Sequence, residues 1–196
     1  MDKLALMRIM ASLRHRGLIG TLEALRVFIR RRVSKDLAVV TYRLTPEIFE
    51  PRCLPEGWSV TTTTDQAYVR SHPPTETCHV LSIDGAVVGW GFAAVPPDAR
   101  WLIGETGTVL SLPRGALLLT AFETLRGSRG RGVYSSLLSE IIKSYFAKEG
   151  SEVFVGAVSD NMASRAAIEK IGFKRHETHR RSDAAKGQVD VERGKL

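Results

Sequence analysis

The chain has 196 residues, 43% hydrophobic and 25% charged, with a formal net charge of +7 at pH 7. That is enough chain for one ordinary globular core plus an appendage, and the basic balance favours an anionic partner: nucleic acid, an anionic membrane surface or a phosphorylated small molecule. No run approaches the ~18 apolar residues that a membrane-spanning helix needs, which excludes an integral helical membrane protein. Cys53 and Cys78 lack metal or redox spacing, and no apolar leader with a cleavage site opens the chain, so a reducing, cytoplasmic setting is expected.

Residues 3–33 carry apolar side chains at Leu4, Met7, Met10, Leu13, Leu22, Leu25, Phe28 and Ile29, interrupted by Gly17 and Gly20. This predicts two short amphipathic helices. Arg14, Arg16, Arg26, Arg30, Arg31, Arg32 and Lys35 make this arm, residues 1–37, the most basic part of the chain. It reads either as a helix lying on anionic lipid or as an arm packed on its own domain. A strand is expected over Leu37–Leu44, irregular chain through Pro46, Pro51 and Pro55, and a strand over Trp58–Thr64. The polar segment Asp65–Thr77 is too short for two good helices. Cys78–Ile83 and Ala86–Val95, joined by Asp84-Gly85, predict a hairpin with a type I′ turn. Trp101–Leu112 predicts one irregular strand, and Pro113-Arg114-Gly115 a turn.

Leu117 to Leu125 is an apolar run that breaks into Arg126-Gly127-Ser128-Arg129-Gly130-Arg131-Gly132, and a one-sided helical pattern follows through Phe146. Strand, glycine loop and helix start together make an anion site, since glycines expose backbone amides and the helix N-terminus favours negative charge. Val153–Val158 is a strand, Asp160-Asn161 a helix cap, Met162–Ile171 a helix ended by Gly172, and Phe173–His176 a returning strand. From Asp183 the tail, residues 183–196, is polar enough to be disordered.

Three glycine patterns compete for this loop. A Walker loop has the spacing from Gly127 to Gly132 but needs Lys and then Ser or Thr where Val133 and Tyr134 stand. A dinucleotide fingerprint fits Gly130-x-Gly132-x-x-Ser135, yet too little chain remains after Asp160 for a doubly wound sheet. The third pattern is met by R-G-S-R-G-R-G-V-Y, then N-M-A-S from Asn161, then E-K-I-G-F-K to Lys174, in the right order. Over roughly residues 58–180 the chain thereby resembles the GNAT superfamily of N-acetyltransferases. Gly127 stands where the family usually has Gln or Arg, and Arg126 where it has Pro. The R-G-R-G-V-Y form with a basic arm also resembles a subgroup associated with polysaccharide and cell-envelope genes.

The resemblance implies an α+β (α/β) fold, a mixed, mostly antiparallel sheet flanked by helices, for residues 38–182, with the helical arm before it. It implies acetyl-CoA as co-substrate: main-chain groups of Glu123, Thr124 and Leu125 for the pantetheine, amides of Arg129, Gly130, Arg131, Gly132, Val133 and Tyr134 for the pyrophosphate, and charge from Arg126, Arg129 and Arg131. Asn161 faces the thioester in this reading, and is a plain helix cap in the other. Acyl transfer to an amine needs a base and an acid. The family's Tyr acid, seven residues after the Asn, is replaced by Ile168, leaving Tyr134 and Ser164 as substitutes, each with a packing role as the plain alternative. Glu105 and Glu123 are the candidate bases. His72, His79, His176 and His179 have no metal spacing, so no metal is expected, and His79 reads as structural.

The leading expectation is therefore transfer of an acetyl group to an amine of a small molecule or envelope precursor by direct attack. The alternative is a catalytically degenerate relative that binds coenzyme A or serves as an interaction module, motivated by Ile168 and the short 65–77 segment. Nucleic-acid binding rests on charge alone, with no interleaved aromatics. Contact of the arm with the inner membrane face and a homodimer complete the expected partners.

Overall fold

The computed structural model describes residues 37–63 and 75–181. The basic arm over 1–36, residues 64–74 of the short polar segment, and the tail from 183 lie outside the described residues. In chain order the strands are β1 (Ala38–Leu44), β2 (Trp58–Thr63), β3 (Thr77–Ile83), β4 (Ala86–Ala94), β5 (Arg100–Ile103), β6 (Thr108–Ser111), β7 (Leu117–Thr124), β8 (Val153–Val158) and β9 (Lys174–Arg180). Helix α1 (Val133–Phe146) links β7 to β8, and α2 (Met162–Glu169) links β8 to β9. Seven strands form one sheet in the order β2-β3-β4-β7-β8-β1-β9. Every ladder is antiparallel except β7–β8.

The β3–β4 hairpin turns at Asp84 and Gly85, both with positive φ (50° and 79°), the backbone that an Asp-Gly type I′ turn requires. Helix α1 buries Val133, Leu137, Leu138, Ile141 and Ile142 against the sheet, the stripe set by its i, i+4 spacing. Tyr145 Oη donates to the Gly115 carbonyl at 2.7 Å and fixes the far end of that helix. Helix α2 is followed by Gly172, whose φ is +101°. A Cβ there would collide with the Ile48 carbonyl, so only glycine lets the segment after β1 pass the end of α2.

The placement of β1 is not local in sequence. It lies between β8 and β9, pairing Leu44 with Val153 on one side and Arg43 with Lys174 on the other. Tyr42, fully buried, anchors it to α2: its hydroxyl donates to Glu169 Oε1 at 3.0 Å and accepts from Arg165 Nε at 3.0 Å, while Arg165 Nη1 donates to the Ser159 carbonyl. Each polar atom of this buried tyrosine is thus paired, which its burial demands.

Residues 101–112 differ from the single strand expected. They form a two-stranded hairpin, β5–β6, that turns through Gly104–Gly107, with Gly107 N–H donating to the Ile103 carbonyl at 2.8 Å and Gly107 at φ +76°. Alternation explains it: Ile103, Thr108 and Leu110 face inward and are buried, whereas Leu102 and Val109 face out. Ile103, Leu110 and Leu112 join Val39, Leu118, Phe154 and Val158 in a second core beneath the sheet. Trp101 fits because position 156 is glycine; a Cβ there would sit 2.5 Å from the Trp101 ring.

Burial pushes the Cys78 thiol up to about 11, whereas Cys53 is exposed. A thiolate-selective reagent at pH 7.5 should label Cys53 alone in the native chain and both thiols in denaturant, counted by mass. Leu44→Ala should lower unfolding free energy by roughly 2–5 kcal/mol in a denaturant titration, because the side chain is fully buried between β1 and its neighbours.

Candidate active site

Strands β7 and β8 pair in parallel at Leu117–Val153, Leu118–Phe154 and Leu119–Val155, and there the pairing stops. Both strands continue, so they part. The cause lies in β7 and its other neighbour. Between Trp90–Glu123 and Phe92–Thr120 the β4–β7 register shifts, placing Ala121 and Phe122 opposite the single residue Gly91. Ala121 takes a left-handed φ of 50°, and the Phe122 ring lies where a Cβ on residue 91 would be. This is a bulge, and a bulge bends its strand. Gly89 allows the same close approach, since a Cβ there would come within 2.8 Å of the Glu123 carbonyl and 2.9 Å of Val133.

The parted strands open a cavity of ≈ 780 Å³. Its walls come from β7, β8, the loop after β7, the N-terminal parts of α1 and α2, and Glu105 of the β5–β6 turn. The loop begins as a 3-10 turn over Arg126–Ser128, with Ser128 N–H donating to the Leu125 carbonyl at 2.9 Å. Gly130 and Gly132 then have φ of +76° and +85°, a backbone that other residues adopt only under strain. The first bond of α1 runs from Ser136 N–H to the Gly132 carbonyl at 2.9 Å, so the amides ahead of it point out of the helix end. Helix end and glycine loop together form an amide-lined concavity of the kind that binds anions.

Glu105, Glu123, Thr124, Arg129, Gly130, Gly132, Val133, Tyr134, Asn161 and Ser164 all line this cavity. Leu125, Arg126 and Arg131 do not. Leu125 N–H donates to the Val88 carbonyl at 2.9 Å, so its amide closes the β4–β7 ladder, and Arg126 and Arg131 are exposed. Arg129 Nε donates to the Thr124 carbonyl at 3.4 Å, tying the loop back to the strand end. The Val133 side chain is buried in the core, leaving only its backbone for the cavity.

Asn161 Oδ1 accepts from Ser164 N–H at 3.2 Å, a true N-cap of α2 on the cavity wall. Ser164 Oγ donates to Tyr134 Oη at 3.3 Å, and the Tyr134 ring stands edge-on to Phe122, centroids 5.3 Å apart. Burial pushes the Tyr134 phenol up to about 12, opposed by the Ser164 hydrogen bond. Ile168 is wholly buried in the core between α2 and the sheet. Glu105 stands in the β5–β6 turn, whose backbone is pinned by Arg181 Nε and Nη2 donating to the Glu105 carbonyl at 3.1 and 2.6 Å. His79 is held in β3, and burial lowers its pKa, so it is neutral at pH 7. Among the described residues no three His, Cys, Asp or Glu side chains are grouped to hold a metal, and no helix is long and apolar enough to cross a membrane.

Sequence reasoning missed Glu76, Thr120 and the Ala121 bulge. Thr120 and Ala121 line the cavity, and Thr120 Oγ1 donates to Glu76 Oε2 at 3.4 Å. The one signal was G-W-G over 89–91 opposite T-A-F over 120–122. Glycines inside a strand mark close backbone approach or a bulge.

A mixed, mostly antiparallel sheet that parts beside a glycine loop and a helix end defines an α+β fold with a cavity in the sheet itself. Residues 42–173 match the acetyltransferase (GNAT) family, and the chain belongs to that family. No curated protein matches in sequence. Among solved structures, a GCN5-related N-acetyltransferase from Kribbella flavida superposes with TM-score 0.50 at 14% identity, covering 79% of this chain and 60% of that one. A GCN5-related N-acetyltransferase from Sphaerobacter thermophilus gives 0.53 at 14% identity, covering 81% and 55%. A tandem GNAT protein from the clavulanic acid biosynthesis pathway gives 0.53 at 14%, covering 81% and 56%. The chain spans less than two thirds of the length of each.

Gly132→Ala should weaken coenzyme A binding at least tenfold by calorimetry, because the left-handed φ of +85° becomes strained and the amides of the loop turn away. Unchanged affinity would show that the loop does not hold the ligand.

Proposed function

We propose that the chain is an acetyl-CoA-dependent N-acetyltransferase that moves an acetyl group to the amine of a small molecule or envelope precursor by direct attack. The observation that carries this reading is the gap beyond Leu119–Val155, flanked by the amide-lined loop and bordered by both a carboxylate and a phenol.

The residues fit the co-substrate. Gly130 has nothing within 4 Å of where a Cβ would stand, so a diphosphate can lie against bare backbone. Amides from Arg129 to Ser135 hold that diphosphate, with Arg129 adding charge. When bound, acetyl-CoA supplies a thioester whose carbonyl carbon accepts the amine. The unpaired edges of β7 and β8 offer main-chain groups to the pantetheine between them, and Asn161 borders it.

Glu105 is the proposed base, since it borders both this cavity and a second one beside it; Glu123 lines only the first. Its carboxylate takes the proton of the attacking amine, directly or through one water. A C–N bond forms and the C–S bond breaks. Tyr134 gives its phenolic proton to the departing sulfur, and Ser164 orients that hydroxyl. With a pKa near 12 the phenol stays protonated at any physiological pH, and a thiolate of ordinary basicity is a better base than bulk water.

Ile168 in place of the family's usual tyrosine supports a second reading, a chain that binds coenzyme A without turnover. Thiol release from acetyl-CoA with an amine panel separates the two. For an active enzyme, Glu105→Gln and Tyr134→Phe should each lower kcat by about 10² or more, with the Kd for coenzyme A little changed. Because the Tyr134 phenol is protonated below its raised pKa, the wild-type kcat should show no alkaline fall between pH 8 and 10 from loss of the acid. A kcat unaffected by Tyr134→Phe would remove the phenol from the mechanism.

A further inference from the structure

The Ala121 bulge changes the face of the sheet on which Phe122 stands. Leu117 and Leu119 belong to the core under α1, and Leu118 between them belongs to the other core. Side chains alternate along a strand, so regular pairing would carry Ala121 to the α1 face and send Phe122 to the opposite one. The extra residue reverses this. Phe122 packs against the α1 core with its ring edge-on to Tyr134, and re-aiming a side chain is what bulges beside active sites do. We propose that Phe122 is a positioning residue for the acid: its ring, seated in the notch left by Gly91, holds the Tyr134 hydroxyl on Ser164 and keeps water from it. This rests on the reading of Tyr134 as the group that protonates the departing sulfur.

Three observations carry the assignment. The first is the notch. A Cβ at residue 91 would collide with the Phe122 ring, yet Gly91 is not one of the glycines with positive φ. Its backbone would suit any residue, so what requires glycine there is room for the ring, at the expense of a weaker strand. The second is how Tyr134 is held. The two rings stand at 67° with centroids 5.3 Å apart, an arrangement that aromatic pairs favour. At the hydroxyl end Ser164 Oγ donates to Tyr134 Oη at 3.3 Å, which leaves the phenolic proton for the sulfur. That bond is long for two hydroxyls, so packing must fix the ring that the bond alone would not. The third is the surroundings of the phenol. Burial is the largest influence and raises it to about 12; the Ser164 bond lowers it and Tyr42 raises it. Among the described residues, the other charged groups nearby are Arg165 and Glu169, both bonded to the Tyr42 hydroxyl, and Glu105, Glu123 and Arg129, which line the same cavity. None of these removes water from Tyr134. Packed apolar side chains do, and Phe122 is the one that the bulge brings there.

Ultraviolet titration of the full chain, read as the difference from Tyr134→Phe, should show no Tyr134 tyrosinate below about pH 11 in the wild type. Phe122→Leu should gain one tyrosinate near the ordinary tyrosine value of about 10. This readout needs neither acetyl-CoA nor an acceptor, and a structural role for Phe122 elsewhere would not move it. Phe122→Met still fills much of the notch and should shift the titration in the same direction by less, which guards against a leucine variant that fails to fold. In turnover, Phe122→Leu should lower kcat by about three- to tenfold with the Kd for coenzyme A moving less than threefold, and should lower kcat no further in a Tyr134→Phe background. A Tyr134 titration unmoved in the Phe122 variants overturns the assignment, as does the same fractional loss of kcat with and without the phenol. A kcat unaffected by Tyr134→Phe alone sinks the acid reading instead, a different and separately visible result.

Discussion

The left-handed turn of Ala121 inside β7 is the constraint from which the rest of the site follows. A regular strand would have continued its parallel ladder with β8 past Leu119 and closed the sheet. The bulge spends one residue out of register, and Gly91 in the neighbouring strand supplies the room. Residues costing on the order of 1–3 kcal/mol in strain persist only where surrounding structure over-determines them. Here that structure is the Phe122 ring, which fills the space over Gly91 and meets Tyr134 edge-on. The same distortion therefore opens the gap and positions a phenol beside it.

Two kinds of electrostatics divide the site between them. At the loop end the left-handed backbone of Gly130 and Gly132 turns amides toward the cavity, beside Arg129. Toward the gap the side chains lie in unlike surroundings. Tyr134 is half-buried against the core, which favours its neutral form, whereas Glu105 is exposed on a turn whose backbone is clamped by Arg181.

What could be read from the sequence was local. Asp84-Gly85 gave a hairpin because two adjacent residues decide a turn, and the strand, loop and helix order around Gly130 and Gly132 was legible because glycine has few other uses there. The Leu37–Leu44 strand could be seen, but not its neighbours, since pairing across the whole chain leaves no mark within seven residues. Residues 101–112 read as one strand because the turn at Gly104–Gly107 lacks a strong dipeptide signal. Glu76 was hidden for a different reason: it lies in a polar stretch with no pattern, and the Thr120 hydroxyl that its carboxylate accepts from is 44 residues away.

The position of β1 has a consequence for how the molecule is made. Arg43 and its partner Glu152 are 109 residues apart, and β9 follows later still, so β1 leaves the ribosome long before either flanking strand exists. At about 5–20 residues per second, that is a wait of roughly 5–20 s. Throughout it, the apolar run Ala38–Leu44 has two bare edges and no sheet to enter. The last strands to be synthesised must close around the first, so the β8-β1-β9 end of this sheet is completed only after β9 has been made.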